Sequence, residues 1–512
     1  MSNLADNLFR QADANAGKTA LRFEDQSFSF LQIAGQARRI AGGLASIGIG
    51  AGARVGLMAQ SCPEFIFYQH AIFALGAVFT PLNVFYRQNE ILHAIQSCGL
   101  EYLIVGAEFV DRLPPPGDPA LGMLKSVVVL TGDEVTHAGG FPSSGRILAR
   151  SEPIGVPANV AESAVGMMLS TSATTGKSKG VMLTIGNIKA NYDRTPGWLG
   201  LTRNTVTLCA LPLYNTFGLN QCINALMFTG GSLVLMPRFD ARSCLELIER
   251  HRCTFLPAVP TMLQKILDHP DASHFDLRSI EQIMTGGAPV PSALLERIHD
   301  KIGTRTVLFT GYGLTEATAL VTLDTVELGA DSKIKRPASI GKVLEGMDLK
   351  ILREDGLEAS TGEVGEICLR GPNLMLGYHE MPDDTNIALA GGWLHTGDLG
   401  FLDADGFAYI VDRKKDVIIR GGQNIYPADI EAVLYQVPGV SEAAVVRKED
   451  PILGEVPIAF VALRPGTSVT AEQLIAQCRS ELAYFKVPAA IHFLPELPKG
   501  PTGKILRRAL GN

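Results

Sequence analysis

Between residues 33 and 284 the chain alternates helix-like with strand-like stretches, and this alternation limits the fold more than any other feature. Residues 33–47 carry apolar side chains at helical spacing, 54–58 form a short apolar run, 61–75 are helical again, and 102–105 and 126–130 have strand length. The pattern recurs with strands at 207–211, 232–236, 255–257 and 282–284 and helices at 219–228 and 241–251. Such alternation favours parallel sheets flanked by helices, because a parallel crossover needs a connection long enough to hold a helix. From about residue 340 the texture becomes short strands with Gly and Asp turns, as in EVGEICLRG, GDLGFLDADG and FAYIVDRKKDVII, which predicts a β-rich lobe. Beyond 412, helices at 427–436 and 471–482 alternate with strands at 440–446 and 459–463, a compact α+β module. The predicted fold is mixed α/β, with two layered α/β subdomains and a β-rich lobe over residues 1–412 and a small α+β domain over 413–512.

Composition narrows the ligand. With 46% hydrophobic residues, 512 residues can bury several cores, which excludes a disordered chain. A net charge of -7 gives no general field for nucleic acid or an anionic membrane, so a small molecule is the expected partner. The start, MSNLADNLFRQADANAGK, has no apolar core of a leader, and apolar stretches such as 71–82 are too short to span a bilayer; a cytoplasmic protein without a membrane span is expected. Eight cysteines without a CxxC pair are expected to be buried thiols.

The polar run STSATTGKSKG at 170–180 combines hydroxyls, small residues with exposed amides and two lysines, which suits a loop wrapping phosphate oxygens. A plain flexible loop is the alternative reading. The P-loop pattern fits at Gly176-Lys177-Ser178 but lacks its first glycine, since position 171 is Thr. The hydrolase elbow G-x-S-x-G fits the letters at 176–180, yet it needs a strand before the Ser and a helix after it, and here an apolar strand-like run follows.

At this loop the chain resembles the adenylate-forming enzymes, which include acyl-CoA synthetases, luciferases and peptide-synthetase adenylation domains, and whose loop reads Y-T-S-G-T-T-G-x-P-K-G. The family's other motifs follow in order: GGAP at 286–289, GYGLTE at 311–316, WLHTGD at 393–398, VDRKKD at 411–416, GGQN at 421–424 and LPKGPTGK at 497–504. The resemblance implies an ATP-dependent ligase closest to the acyl-CoA synthetases. It would activate a carboxylic acid as acyl-AMP with pyrophosphate release, using ATP and Mg2+, and pass the acyl group to CoA.

By that resemblance Thr171, Ser172, Ala173, Thr174, Thr175, Gly176 and Lys179 surround the ATP phosphates, Thr315 contacts the α-phosphate, and Glu316 is the Mg2+ ligand. Hard carboxylate oxygen is what Mg2+ prefers. Gly287, Ala288, Pro289 and Tyr312 are expected around the adenine, Gly313 and Leu314 also within the ATP site, and Asp398 with Arg413 on the ribose hydroxyls. Lys504 is the expected catalytic lysine of adenylation, a mobile point charge suited to meeting accumulating negative charge. The resemblance also implies that the C-terminal domain is mobile, turning about Lys415 so that Gly421 and Gly422 line the thiol channel in the second half-reaction.

Three departures stand out. Ala173 replaces the loop's glycine, and a positive φ there would cost about 1 kcal/mol or more. Ser178 stands where relatives carry proline. In LPLYNTFG (211–218), Asn215 replaces a histidine usual in acyl-CoA synthetases, keeping hydrogen bonding without a titrating group. This leaves two acceptor readings, CoA on one side and an amine or a carrier-protein thiol on the other. The expected acyl pocket is Tyr214, Asn215, Phe217, Val259, Met262, Thr285, Gly286, Gly311, Leu314 and Leu320. It is apolar, without a Lys or Arg to pair with a second carboxylate, and so favours a neutral monocarboxylate. Arg238, in MPRFD at 236–240, is read as a surface charge.

Overall fold

The computed structural model describes residues 2–131, 140–149, 151–171, 178–288, 290–303, 305–329, 331, 333–500 and 505–510. The chain forms two compact units. The first takes most of the chain up to 347 together with 370–389; the second takes 348–369 and the chain from 390 onward.

In the first unit a seven-stranded sheet runs in the order Gly377–Tyr378, Gly180–Thr184, Val165–Ser170, Val78–Pro81, Arg54–Met58, Tyr102–Gly106, Ser126–Leu130. The five strands at the Ser126–Leu130 side pair in parallel and the last two antiparallel. Val78–Pro81 and Tyr102–Gly106 are buried along their whole length, as expected of strands covered on both faces. Helix Pro63–Ala74 is buried at every position but Glu64, the mark of a helix covered on nearly every side. Helix Phe30–Ser46 starts at a capping box in which Ser29 accepts from Gln32 N and Gln32 returns the bond to Ser29 N.

The second sheet of this unit has a parallel centre, Val307–Gly313, Gln282–Gly286, Phe255–Ala258, Val206–Cys209, Ser232–Leu235 and Thr19–Phe23. Antiparallel strands flank it: Leu320–Thr325 and Ser339–Val343 at one side, Gln26–Ser29 at the other. The helical stretch after Asn215 contains a π-helical segment, Leu219–Asn224, between Thr216–Gly218 and Ala225–Thr229. Its wider turn carries buried amides. Asn220 donates to Asn191 Oδ1 and Thr195 Oγ1, and Asn191 donates to Leu320 O at 2.7 Å. Such segments recur at functional sites.

In the second unit, Asp348–Leu352, Gly365–Arg370, Leu394–Leu402 and Ala408–Arg413 form the β-rich part. A five-stranded sheet follows, built on the long antiparallel pair Val440–Asp450 and Gly454–Leu463 and packed by helices Pro427–Gln436 and Ala471–Glu481 over an apolar core including Ile430, Leu434, Val461 and Leu474. Arg507 ties this core to the VDRKKD segment. It donates to both oxygens of Glu431 at 2.8 and 2.9 Å and to Asp416 at 3.1 Å, and lies 3.5 Å from Asp412. Burial works against the arginine's charge, but the three carboxylates hold its pKa above the ordinary value. Asp412, 5% exposed, also accepts from Ala428 N at the start of the helix, so this charge cluster is built in and not merely solvated. Arg507→Ala strands Glu431 and Asp412 in a buried setting and is expected to cost about 3 kcal/mol. A chemical-denaturation curve of the variant checks this, and an unchanged midpoint would refute it.

Seven of the eight cysteines are buried and Cys62 is half-buried, all as free thiols. No helix among the described residues is long and apolar enough to cross a membrane.

Candidate active site

The neck of the phosphate-type loop is built by the antiparallel pair Val165–Ser170 and Gly180–Thr184. Beyond their last ladder position, Thr171 N donates to Lys179 O at 3.0 Å and Lys179 N donates to Thr171 Oγ1 at 3.1 Å. Ser178 contributes what a proline could not, donating from its hydroxyl to Thr171 O and contacting Ser170 Oγ. A strand follows Ser178 and not a helix, so the hydrolase-elbow geometry is absent. Ser172, Ala173, Thr174, Thr175, Gly176, Pro289 and Lys504 lie outside the described residues.

The GYGLTE segment runs off the end of Val307–Gly313, a central strand of the second sheet. Val307–Gly313 runs parallel to Gln282–Gly286 with Gly311 opposite Gly286, and a Cβ on Gly286 would stand 2.7 Å from Gly311 O. One on Gly313 would stand 2.0 Å from Ala319 O. These glycines are demanded by backbone approach. Thr315–Ala317 then makes a single 3₁₀ turn, and Thr318 closes it at φ 68°, an unusual conformation for a β-branched residue. Thr318 is held from both sides, its hydroxyl donating to Asn373 O at 2.6 Å and its carbonyl accepting from Thr216 Oγ1. Glu316 is thereby presented on a rigid turn.

Sequence reasoning missed the segment that joins these two parts. Residues 375–379 hydrogen-bond along Gly180–Thr184, with Leu376 N on Met182 O and His379 N on Gly180 O, while Met375 N donates to Glu316 O at 2.8 Å. Tyr378 from this segment donates its hydroxyl to Glu316 Oε1 at 3.0 Å. Burial, followed by the charge of Glu316, raises the phenol's pKa far above its ordinary value, so it stays a donor. Lys179 Nζ lies 4.7 Å from the Tyr378 ring centroid and forms an ion pair with Asp384.

Near the expected acyl residues, Phe217 and Leu320 pack into an apolar cluster with Met284, Phe309 and Phe255. Met262 is 7% exposed. Thr285 has a buried hydroxyl with no hydrogen-bond partner among the described residues. Val259 is the nearest contact of a Cβ built on Gly287, whose φ of 76° puts it in the left-handed region, with Ala288 next to it. Burial raises the Tyr214 phenol. Asn215 caps the helical stretch that follows, its Oδ1 accepting from Gly218 N at 3.0 Å, a structural task for which Asn is among the best residues. Tyr312 is buried in the strand, with Leu314 after its end. Arg238 is exposed and lines a groove with Arg22, Arg250 and His251.

In the second unit, Asp398 and Arg413 are directly opposed across antiparallel strands, with Arg413 Nε 3.1 Å from Asp398 Oδ1. The strand that presents Asp398 is braced by Glu366, which accepts from Gly397 N at 3.1 Å and Lys414 Nζ at 3.2 Å and lies 3.3 Å from His395 Nδ1. Glu366, Cys368 and His395 have ligand-type atoms within 4.8 Å of one another, but the lysine and the backbone N–H already occupy the carboxylate, so the cluster reads as scaffold. Lys415 is half-buried; burial and then Arg413 lower its pKa. Gly421 and Gly422, at φ 55° and 83°, are the two central residues of a hairpin between Ile418–Arg420 and Gln423–Ile425. Such a turn requires positive φ at both positions, which is reason enough for the glycine pair.

Residues 8–379 match the AMP-binding enzyme family, and 429–504 match the AMP-binding enzyme C-terminal domain. The chain belongs to the AMP-binding enzyme family. Among its curated relatives, a 3-[(3aS,4S,7aS)-7a-methyl-1,5-dioxo-octahydro-1H-inden-4-yl]propanoyl:CoA ligase of Mycobacterium tuberculosis is 35% identical, covering 99% of this chain and 97% of that protein. A long-chain-fatty-acid–CoA ligase of Bacillus subtilis is 32% identical, covering 96% and 91%. The solved o-succinylbenzoate CoA synthetase of Bacillus subtilis, in complex with the acyl-adenylate intermediate OSB-AMP, superposes with a TM-score of 0.86 at 31% identity, over 100% of this chain and 99% of that one. The same enzyme in complex with ATP and magnesium ion gives a TM-score of 0.84 at 32% identity, covering 98% of each chain. Membership of the AMP-binding enzymes fits both the mixed α/β architecture and the order of motifs along the chain.

Proposed function

We infer that this chain is an ATP-dependent carboxylic acid:CoA ligase of the AMP-forming type. The observation that carries the reading is the pairing of a tightly necked hydroxyl-rich loop ending in Lys179 with a rigid turn presenting Glu316, within a family whose solved member holds an acyl-adenylate. In the first step a carboxylate oxygen of the acid bonds to the α-phosphorus of ATP, the bond to the bridging oxygen breaks, and pyrophosphate leaves. In the second, the thiol of CoA loses its proton to solvent, its sulfur bonds to the acyl carbon, the bond from that carbon to the phosphate oxygen breaks, and AMP leaves.

Phosphoryl chemistry asks the protein mainly for positioning and charge neutralisation. Thr171 and Lys179, with 172–176, are proposed to hold the phosphates, Thr315 the α-phosphate, Gly287 to Pro289 and Tyr312 the adenine, and Asp398 with Arg413 the ribose diol. Glu316 offers hard carboxylate oxygen oriented by Tyr378, which fits a divalent cation. When bound, Mg2+ would spread negative charge from the phosphate oxygens. Lys504 is proposed to serve adenylation, and Lys415 to be the point about which residues 413–512 turn before thioester formation.

For the acceptor, the capping bond of Asn215 to Gly218 N gives that side chain a structural use and leaves no proton acceptor there, so nothing in this segment favours an amine over CoA. The acid is proposed to be a neutral monocarboxylate. A panel of aliphatic, alicyclic and aromatic acids, with malonate as the charged control, should give pyrophosphate release and CoA-thioester only with neutral members. Amide formed from an added amine without CoA would overturn the acceptor assignment, and preference for malonate the substrate class.

A further inference from the structure

The ion pair between Lys179 and Asp384 joins residues 205 positions apart, and neither end is needed to complete a core. Asp384 sits in the first turn of helix Pro382–Ala388, beside Asp383, and the helix is fixed to the strand below it by Tyr378 N donating to Thr385 Oγ1 at 2.9 Å. The lysine head therefore rests between the Tyr378 ring and a carboxylate on a helix tied to the same strand. Both side chains are about a third exposed, at 31% and 39%, so the pair is reachable by a solute anion.

We propose that Asp384 is a positioning residue that competes with polyphosphate for Lys179 and thereby holds down the enzyme's affinity for ATP and pyrophosphate. This rests on the reading that Lys179 contacts the ATP phosphates. If it does, two effects act in the same direction. The lysine must give up part of its bond to Asp384 as it bonds to a phosphate oxygen, and the freed carboxylate then stands close to a ligand of several negative charges. Both weaken binding relative to an enzyme with a neutral residue at 384. The arrangement suits a site that must release pyrophosphate after each adenylation, because the lysine returns to an internal anion as the product leaves.

The test is calorimetric binding of ATP and of pyrophosphate, without acid or CoA, to the full-length wild type and to Asp384→Asn. The variant is expected to bind both about three- to fivefold more tightly at low ionic strength. The gain should shrink in 0.5 M salt, as about 3–5 Å screening lengths require. Asp384→Ser should reproduce it if the Asn variant folds poorly. Asp383→Asn makes the same charge change in the same helix turn and should give clearly less, and in a Lys179→Ala background the gain should fall to the smaller part that repulsion by the carboxylate alone supplies. Unchanged or weaker binding by Asp384→Asn, an equal gain from Asp383→Asn, or a gain undiminished without Lys179 would each overturn the proposal. If Lys179→Ala alone leaves ATP affinity intact, the phosphate-binding reading of Lys179 fails, which is a separate and distinguishable result.

Discussion

Lys504→Ala is expected to lower acyl-adenylate formation by about a thousandfold while leaving thioester formation from supplied acyl-adenylate within about threefold of wild type. A cation placed against charge that grows in the transition state of adenylation stabilises that step, and in the aqueous alternative the charge is met only by solvent. Thioester formation uses a different nucleophile and develops its charge at a different atom. Pyrophosphate release measures the first step and single-turnover thioester formation the second. Lys504→Arg should recover little of the loss, because a planar fork does not replace a compact point charge. Equal losses in both half-reactions would remove Lys504 from its proposed role.

Glu316→Gln is the second large effect. The substitution keeps an oxygen to accept the Tyr378 hydroxyl and keeps the backbone carbonyl that accepts from Met375 N, so the turn and the fold should persist with a stability change of about 0.5 kcal/mol or less. What is lost is the charge. Adenylation is expected to fall by about a hundredfold, corresponding to about 2.7 kcal/mol. Binding of Mn2+ to the enzyme with ATP, followed by electron paramagnetic resonance, should weaken in parallel. Wild-type rates with an unchanged Mg2+ requirement would show that another group holds the metal.

Parts of this protein were legible in sequence for definite reasons. The apolar runs at 54–58, 102–105 and 126–130 become buried parallel strands because runs of that length, between helices, have few other ways to satisfy their backbone. Asp398 and Arg413 meet across a strand pair, and both were legible because each falls in a short motif. Tyr378 and Asp384 were not legible: their partners, Glu316 and Lys179, lie 62 and 205 residues away, and no local spacing signals a contact that only tertiary packing creates. The π-helical segment was read simply as helix, since the widened turn is fixed by the buried bonds of Asn220 and Asn191 and not by periodicity. The Gly421-Gly422 pair carried a turn signal of its own, a Gly-Gly dipeptide between two short strands, which its resemblance to a channel motif overshadowed.

The buried thiols bear on the chemistry in another way. An acyl-adenylate is a strong electrophile, and any thiolate within reach would compete with CoA for its acyl group. Burial pushes Cys98 and Cys478 up to about 11 and Cys62, Cys244, Cys253 and Cys368 up to about 12, so near neutral pH these six sulfurs are neutral, and all but the half-buried Cys62 are shielded as well. Since the thiolate is the reacting species, the protein offers little sulfur nucleophile of its own against the activated acyl group. Self-acylation is thereby suppressed at its source, and the thiol that reacts is the one brought by the second substrate.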